Sequence, residues 1–316
     1  MTTQLMQWNF EIEKLIPSQV KIKRKIWLKK GKLFLEKKGE RLNVYLLGDD
    51  QNTFDNNQKI LPYLKISSLI SSNAPTLKGG GGGSLQSKKE FGKKPMGFSV
   101  SVGRAIWPNE AIKKVEKHAP EFLKQIRAIH NKYEKTIKEN QFLQIAVDYF
   151  YDSETKFVYQ DEGFISVMIS LEALFNEASN DIKYKLAHRA GFLLGLRKFD
   201  SKEVFENLKN FYNYRSRLVH GEGPTAYDPD RYKISEYTRV AIIFFIILLK
   251  NPKRKKIGKK KRKRKLLKEI DYAMFDISKQ KSLQKEITKG VKDFKLKVPR
   301  TFEGTGKNGK YRMIPW

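Results

Sequence analysis

Ten consecutive apolar residues, Val240 to Leu249 (VAIIFFIILL), set the first constraint on this chain. The run is about half of the ~20 residues that a membrane-spanning helix needs. No position in it is polar, so a helix formed from it has no face to offer to water. The run therefore reads as a helix buried on every side, and burial on every side requires neighbours to sheath it. An interfacial helix on a membrane surface is the alternative. No transmembrane segment is expected, and Met1 to Phe10 lacks the basic start and apolar stretch of a signal peptide.

Immediately after this run the chemistry reverses. Residues 250–265 (KNPKRKKIGKKKRKRK) hold twelve Lys or Arg and no acid, and the whole chain carries a formal net charge of +30. Charge of this size favours an anionic partner, nucleic acid first and an anionic membrane surface second. The run reads as a solvated, mobile loop between two helices. The residues expected to track phosphates are Arg217, Lys253, Arg254, Lys255, Lys256, Lys259, Lys260, Lys261, Arg262, Lys263, Arg264 and Lys265. In a eukaryotic cell the run would also pass as a nuclear import signal; otherwise the expected location is cytoplasmic.

At 40% hydrophobic and 12% aromatic residues, the chain has enough apolar surface for a core, which excludes global disorder. Cysteine is absent, which removes disulfides, thiolate zinc sites and cysteine nucleophiles. The histidines are His118, His130, His188 and His220, and no two stand at i, i+4. With no His-Glu-x-x-His run either, no metal or other cofactor is expected. His118 and His130 read as surface residues of a long basic helix.

Residues 25–29, 33–36 and 41–47 are short apolar or alternating runs. Gly31 and Gly39 stand between them as turn signals, the pattern of a β-meander. Residues 67–94 are rich in Ser, Gly and Lys, include the five glycines Gly79 to Gly83, and read as a flexible loop. After Trp107-Pro108 the period becomes helical. Helices are expected near 110–139, 141–151, 160–178, 181–198, 202–219 and 231–250, with one more from about Leu266 into the 280s. The expected fold class is α+β. A β-rich N-terminal module (1–108) precedes an all-α helical domain (109–285) with a basic insert and an irregular basic tail (286–316).

Three of these helices each carry an ionisable residue on an apolar face. Glu172 neighbours Ile165, Met168, Ile169 and Phe175; Arg189 neighbours Ile182, Leu186, Phe192 and Leu193; Arg215 neighbours Leu208, Phe211, Tyr212, Leu218 and Val219. Charges at such positions need partners. Two readings stay open: a structural Glu172–Arg189 ion pair, or a polar pocket that also holds Arg215. Five residues after Arg215 comes His220, and Gly221 marks the end of the helix there. Arg217 falls on a more polar side and is expected to be exposed.

Three stretches carry a resemblance. They are Ser170 to Phe175 (SLEALF), Leu186 to Leu194 (LAHRAGFLL) and Phe211 to Gly221 (FYNYRSRLVHG), in this order and spacing after Phe142 to Phe150 (FLQIAVDYF). At these residues the chain resembles the HEPN family of helical ribonuclease and nucleotide-binding domains, most of all its Apea-like branch, over roughly residues 110–280. The resemblance implies a helical bundle that forms a homodimer, with two R-x4-H motifs facing each other across the twofold axis. It also implies a metal-independent endoribonuclease, of the kind that acts as a toxin or in antiviral defence, with RNA as its partner. Arg215 and His220 would be the catalytic pair, supported by Ser216, Glu172 and Arg189. The N-terminal module would then sense a trigger or restrain the nuclease. Two other classes stay open: a HEPN-like module that binds RNA without cutting it, and a membrane-surface or partner-binding protein that uses residues 240–265.

Overall fold

The structure, a computed structural model, describes residues 5–13, 26–29, 33–38, 41–48, 53–70, 76–85, 109–155, 160–177, 181–221, 231–295, 305–306 and 309–310. The first strands are β1 (Leu5–Glu13), β2 (Ile26–Lys29), β3 (Leu33–Lys38) and β4 (Arg41–Gly48). Then come helix α1 (Thr53–Ile70) and strand β5 (Thr76–Leu85). From Asn109 to Val291 every described element is helical. These are α2 (Asn109–Lys138), α3 (Gln141–Thr155), α4 (Gln160–Phe175), α5 (Ile182–Gly195), α6 (Ser201–Val219), α7 (Arg231–Lys250), α8 (Pro252–Lys255), α9 (Lys259–Ala273) and α10 (Ile277–Val291).

The expected α+β class is corrected to a helical bundle. Among residues 60–295 whose side chains are described, 86% are helical and none lies in a strand. The backbones of β1 to β5 pair antiparallel in the order β2-β3-β4-β1-β5, with Trp8 opposite both Leu46 and Gly82. Residues 67–70 of the expected loop belong to α1 and residues 76–85 to β5, while 71–75 and 86–94 lie outside the described residues.

The chain divides into two compact units, residues 1–131 with 295–316, and residues 132–294. The division falls inside α2, where the sequence reading places it ahead of that helix. In the first unit α1 buries Ile60, Tyr63, Leu64, Ile66 and Leu69. Its serines survive burial by bonding inward: Ser67 Oγ donates to Leu64 O and Ser68 Oγ to Lys65 O, each at 2.7 Å. His130, expected at the surface, is buried with its ring stacked on Tyr63 at 3.9 Å between centroids.

In the second unit α7 is the central element and packs on α3, α4, α5, α6 and α10. All ten residues from Val240 to Leu249 are buried. Each of the nine side chains larger than Ala241 contributes about 1.5–3 kcal/mol of hydrophobic stabilisation. On α10, Gly290 lies so close to α7 that an added Cβ would stand 2.4 Å from Ile247 Cγ2. A side chain at 290 would overlap Ile247 unless one of the two moved, so glycine leaves room for that isoleucine. The α3–α4 pair is tied by Ser166 Oγ donating to Tyr149 O at 2.8 Å and Ser170 Oγ to Ala146 O at 2.7 Å.

The basic run is largely helical. Asn251 caps α8 by accepting from Lys253 N, and α9 begins at Lys259 rather than near Leu266. Arg254 is 7% exposed. Its Nε and Nη2 donate to Glu269 at 2.9 and 2.6 Å, and its Nη1 to Glu286 and to Leu248 O, both at 2.8 Å. Arg262, equally buried, donates to the carbonyls of Ile257 and Lys255 and to Glu139 at 3.2 Å. These two arginines close the turns around α8 onto the bundle. Removing Arg254 leaves two part-buried carboxylates without their cation. Arg254→Ala is expected to cost about 3–5 kcal/mol, read as a lower urea midpoint. Lys256→Ala, at an exposed position of the same run, should change it by no more than about 0.5 kcal/mol.

Candidate functional site

The site is built on the last turns of α6. Asp200 starts that helix by accepting from Glu203 N at 2.7 Å. Val204, Leu208, Phe211 and Tyr214 form its buried stripe. Arg215 stands beside the stripe and is partly buried, over the Tyr212 ring at 5.9 Å. Its Nε faces Glu172 Oε1 of α4 at 3.7 Å. That is ion-pair distance, too long for a hydrogen bond, and both atoms are buried without a hydrogen-bond partner. A quarter of the Arg215 side chain (25%) remains exposed. A guanidinium can bond carboxylate or phosphate oxygens through two N–H groups at once.

Burial pushes the Glu172 carboxyl up from its ordinary value, and the Arg215 charge only partly opposes the shift. Burial also raises the Tyr212 hydroxyl, reinforced by Glu172. The Glu172 carboxylate is thus partly withdrawn from water, where the Arg215 charge acts on it more strongly than in bulk solvent.

The helix stops where the glycine predicts. His220 is the C-cap (φ −85°, ψ 5°), and its N–H is accepted by Ser216 O at 3.1 Å. Gly221 takes φ +75°, and its N–H is accepted by Leu218 O at 3.2 Å. Leaving the helical path at residue 220 puts His220 in solvent, with no side-chain hydrogen bond among the described residues. Ser216 is partly buried one turn earlier. Arg217 is also partly buried, with a buried Nε that has no partner, where the sequence pattern predicts an exposed side chain.

Glu172 and Arg215 are brought together, whereas Arg189 is engaged elsewhere. Arg189 Nε and Nη2 grip the two carboxylate oxygens of Asp271 on α9, each at 2.7 Å, and Nη1 donates to Phe175 O at 2.8 Å. No Glu172–Arg189 pair forms. Sequence reading misses Asp271. The available signal is composition: α9 carries eight Lys or Arg and only two acids, Glu269 and Asp271. Each of these acids holds a buried arginine.

The expected phosphate-tracking residues divide by exposure. Lys253, Lys256, Lys259, Lys261, Arg264 and Lys265 are exposed and Lys255 partly so, while the Lys260 side chain lies outside the described residues. Arg254 and Arg262 are committed to the core. Lys263 lies over the Phe142 ring at 5.4 Å, and burial lowers its ammonium to about 8. Among the described residues, no group of three His, Asp or Glu is placed to hold a metal ion, and no helix is long and apolar enough to cross a membrane.

The raised Glu172 carboxyl predicts a pH signature. Below the ordinary carboxylate range Glu172 is protonated in folded and unfolded chains alike, and its burial costs little. As pH rises through its raised folded value, the folded chain must bury a charge, so stability falls. The urea midpoint of the wild-type chain should therefore drop from acid to neutral pH relative to Glu172→Gln. Parallel curves for the two proteins would show that Glu172 is not buried as described. Comparison with known protein families, with curated proteins and with solved structures finds no match to this chain.

Proposed function

We propose that the chain is a metal-independent endoribonuclease of the HEPN type. The observation that supports this most is the placement of two groups on one helix end. Arg215 is part-buried with a quarter of its side chain exposed, and His220 stands in solvent at the capped terminus one and a half turns later. Metal-free cleavage of RNA needs these two chemistries. A base takes the proton from the ribose 2′-OH, whose oxygen then attacks the adjacent phosphorus. An acid protonates the leaving 5′-oxygen as the P–O5′ bond breaks. Histidine titrates near neutrality and serves either role. Arginine remains charged and binds the phosphorane oxygens. A homodimer would bring two copies of His220 together, one for each role. The products are a 2′,3′-cyclic phosphate and a 5′-hydroxyl, and DNA, without the 2′-OH, is inert.

RNA binding without cleavage is the second reading. It is favoured by Glu172, whose carboxylate stands 3.7 Å from Arg215 Nε and competes with phosphate for that cation. The membrane-surface reading loses its apolar half, because Val240 to Leu249 are buried inside the unit.

Total RNA incubated with the protein in excess EDTA is expected to be cleaved to cyclic-phosphate ends. His220→Ala should lower the rate about 10²–10⁴-fold, and Arg215→Ala about 10²–10³-fold. Salt-dependent binding with no cleavage by any of the three proteins would select the second reading. Binding also separates the basic residues. Lys261→Ala and Lys265→Ala should each lower the slope of log affinity against log salt by about one. Lys263→Met should leave it unchanged, since that ammonium lies over a ring and is partly neutral near pH 8.

A further inference from the structure

The basic run does not end the exposed face of α9. At 100° per residue, Lys261, Arg264, Lys265, Lys268 and Tyr272 fall within about 100° of arc and span about 17 Å. All five are exposed. Phe275 follows in the turn after the helix, where its N–H is accepted by Tyr272 O at 3.2 Å. Phe275 is 87% exposed and Tyr272 is 62% exposed. Large aromatic side chains are ordinarily buried for the most part, and nothing in the second unit covers these two. Lys279 Nζ lies 5.2 Å from the centroid of the Tyr272 ring.

The rest of α9 is fixed. Leu266, Leu267, Ile270 and Ala273 are fully buried, and Arg262 and Asp271 are bonded into the bundle. The exposed stripe is therefore presented on a rigid element. It runs from four cations at one end to two solvent-exposed rings at the other. Lipid would be met by an apolar face along the length of a helix, but the apolar face of α9 is already used in the core. Charge complementarity favours a polyanion that also carries flat apolar surfaces.

We infer that this face of α9, with Tyr272 and Phe275 at its end, is the landing surface for single-stranded RNA. Its cations follow consecutive phosphates and its two rings stack unpaired bases. Single-stranded nucleic acids are bound in this way by combining a basic track with aromatic platforms. The inference rests on RNA as the partner proposed above but not on cleavage. It adds Lys268, Tyr272 and Phe275 to the residues that meet RNA. Arg254 and Arg262 are left out, because their guanidinium groups are spent on carboxylates and carbonyls.

The test uses the full chain carrying His220→Ala, so that RNA stays intact, and reads anisotropy of a short labelled oligouridylate. Tyr272→Ala and Phe275→Ala should each weaken binding roughly 5- to 150-fold, the loss of one stacked base. Neither should change the salt slope, whereas Lys268→Ala should lower it by about one. Binding of duplex RNA should not depend on Phe275, since its bases are already stacked. Phe275→Trp should retain affinity, and its fluorescence should be quenched as RNA binds. The exposure of Phe275 predicts an unchanged melting temperature for all of these variants. Undiminished single-strand affinity in the Tyr272→Ala/Phe275→Ala double variant overturns the inference. So does Phe275-dependent binding to phosphatidylserine vesicles alone, which would assign the surface to lipid. Absence of RNA binding by the parent overturns it as well. Failure of the wild type to cleave RNA in EDTA bears on the nuclease reading and leaves this result standing.

Discussion

The second unit depends on one requirement: ten apolar residues of α7 have no side that tolerates water. Burial of Val240 to Leu249 demands a neighbour in every direction, and α3, α4, α5, α6 and α10 supply them. Helices α3, α6 and α10 each turn a buried apolar stripe to the bundle and another face to solvent. Close approach matters as much as hydrophobicity here. Gly290 lets α10 settle onto Ile247, and the serines of α4 bond directly to carbonyls of α3. The elements that carry Glu172 and Arg215 are thereby fixed to a common core.

Charge in this chain serves cohesion. Glu269 and Asp271 stand two residues apart on a helix otherwise crowded with cations. One grips Arg254 and the other Arg189, both in two-point geometry. Arg254 fastens the end of α7 to α9 and α10, and Arg189 fastens α5 to α9. These pairs leave Glu172 to face Arg215 at a longer distance. The Glu172–Arg215 contact, at 3.7 Å, is the longest of these pairings.

Much of the helical body is readable from pattern. The apolar run and Gly221 as a stop act locally, within one or two turns of chain, and their effects appear where the sequence places them. Failures fall where partners are distant. Arg189 meets an acid 82 positions away, which no local spacing reveals. Arg254 and Arg262 look like two more members of a solvated charge run, because burial depends on what folds over them. Helix α1 escapes the pattern because Pro62 lies inside it and its serines resemble linker residues. In the fold those hydroxyls bond back to their own helix. His130 reads as polar and exposed, yet a tyrosine from α1 covers its ring. Among the candidate site residues, Arg215 and Glu172 are found by the same rule that misplaces Arg189. A charge on an apolar face announces a partner without naming it.

The first turn of α9 carries an unusual load. Lys259, Lys260 and Lys261 occupy the positive end of the helix dipole, and Gly258 provides no side-chain cap. Like charge in that position opposes the turn by roughly 0.3–1 kcal/mol per residue at low ionic strength. Dissolved ions screen that repulsion. The start of α9 should therefore grow firmer as electrolyte is added, the reverse of a surface held by ion pairs. Dilute buffer is the condition in which this helix begins to fray.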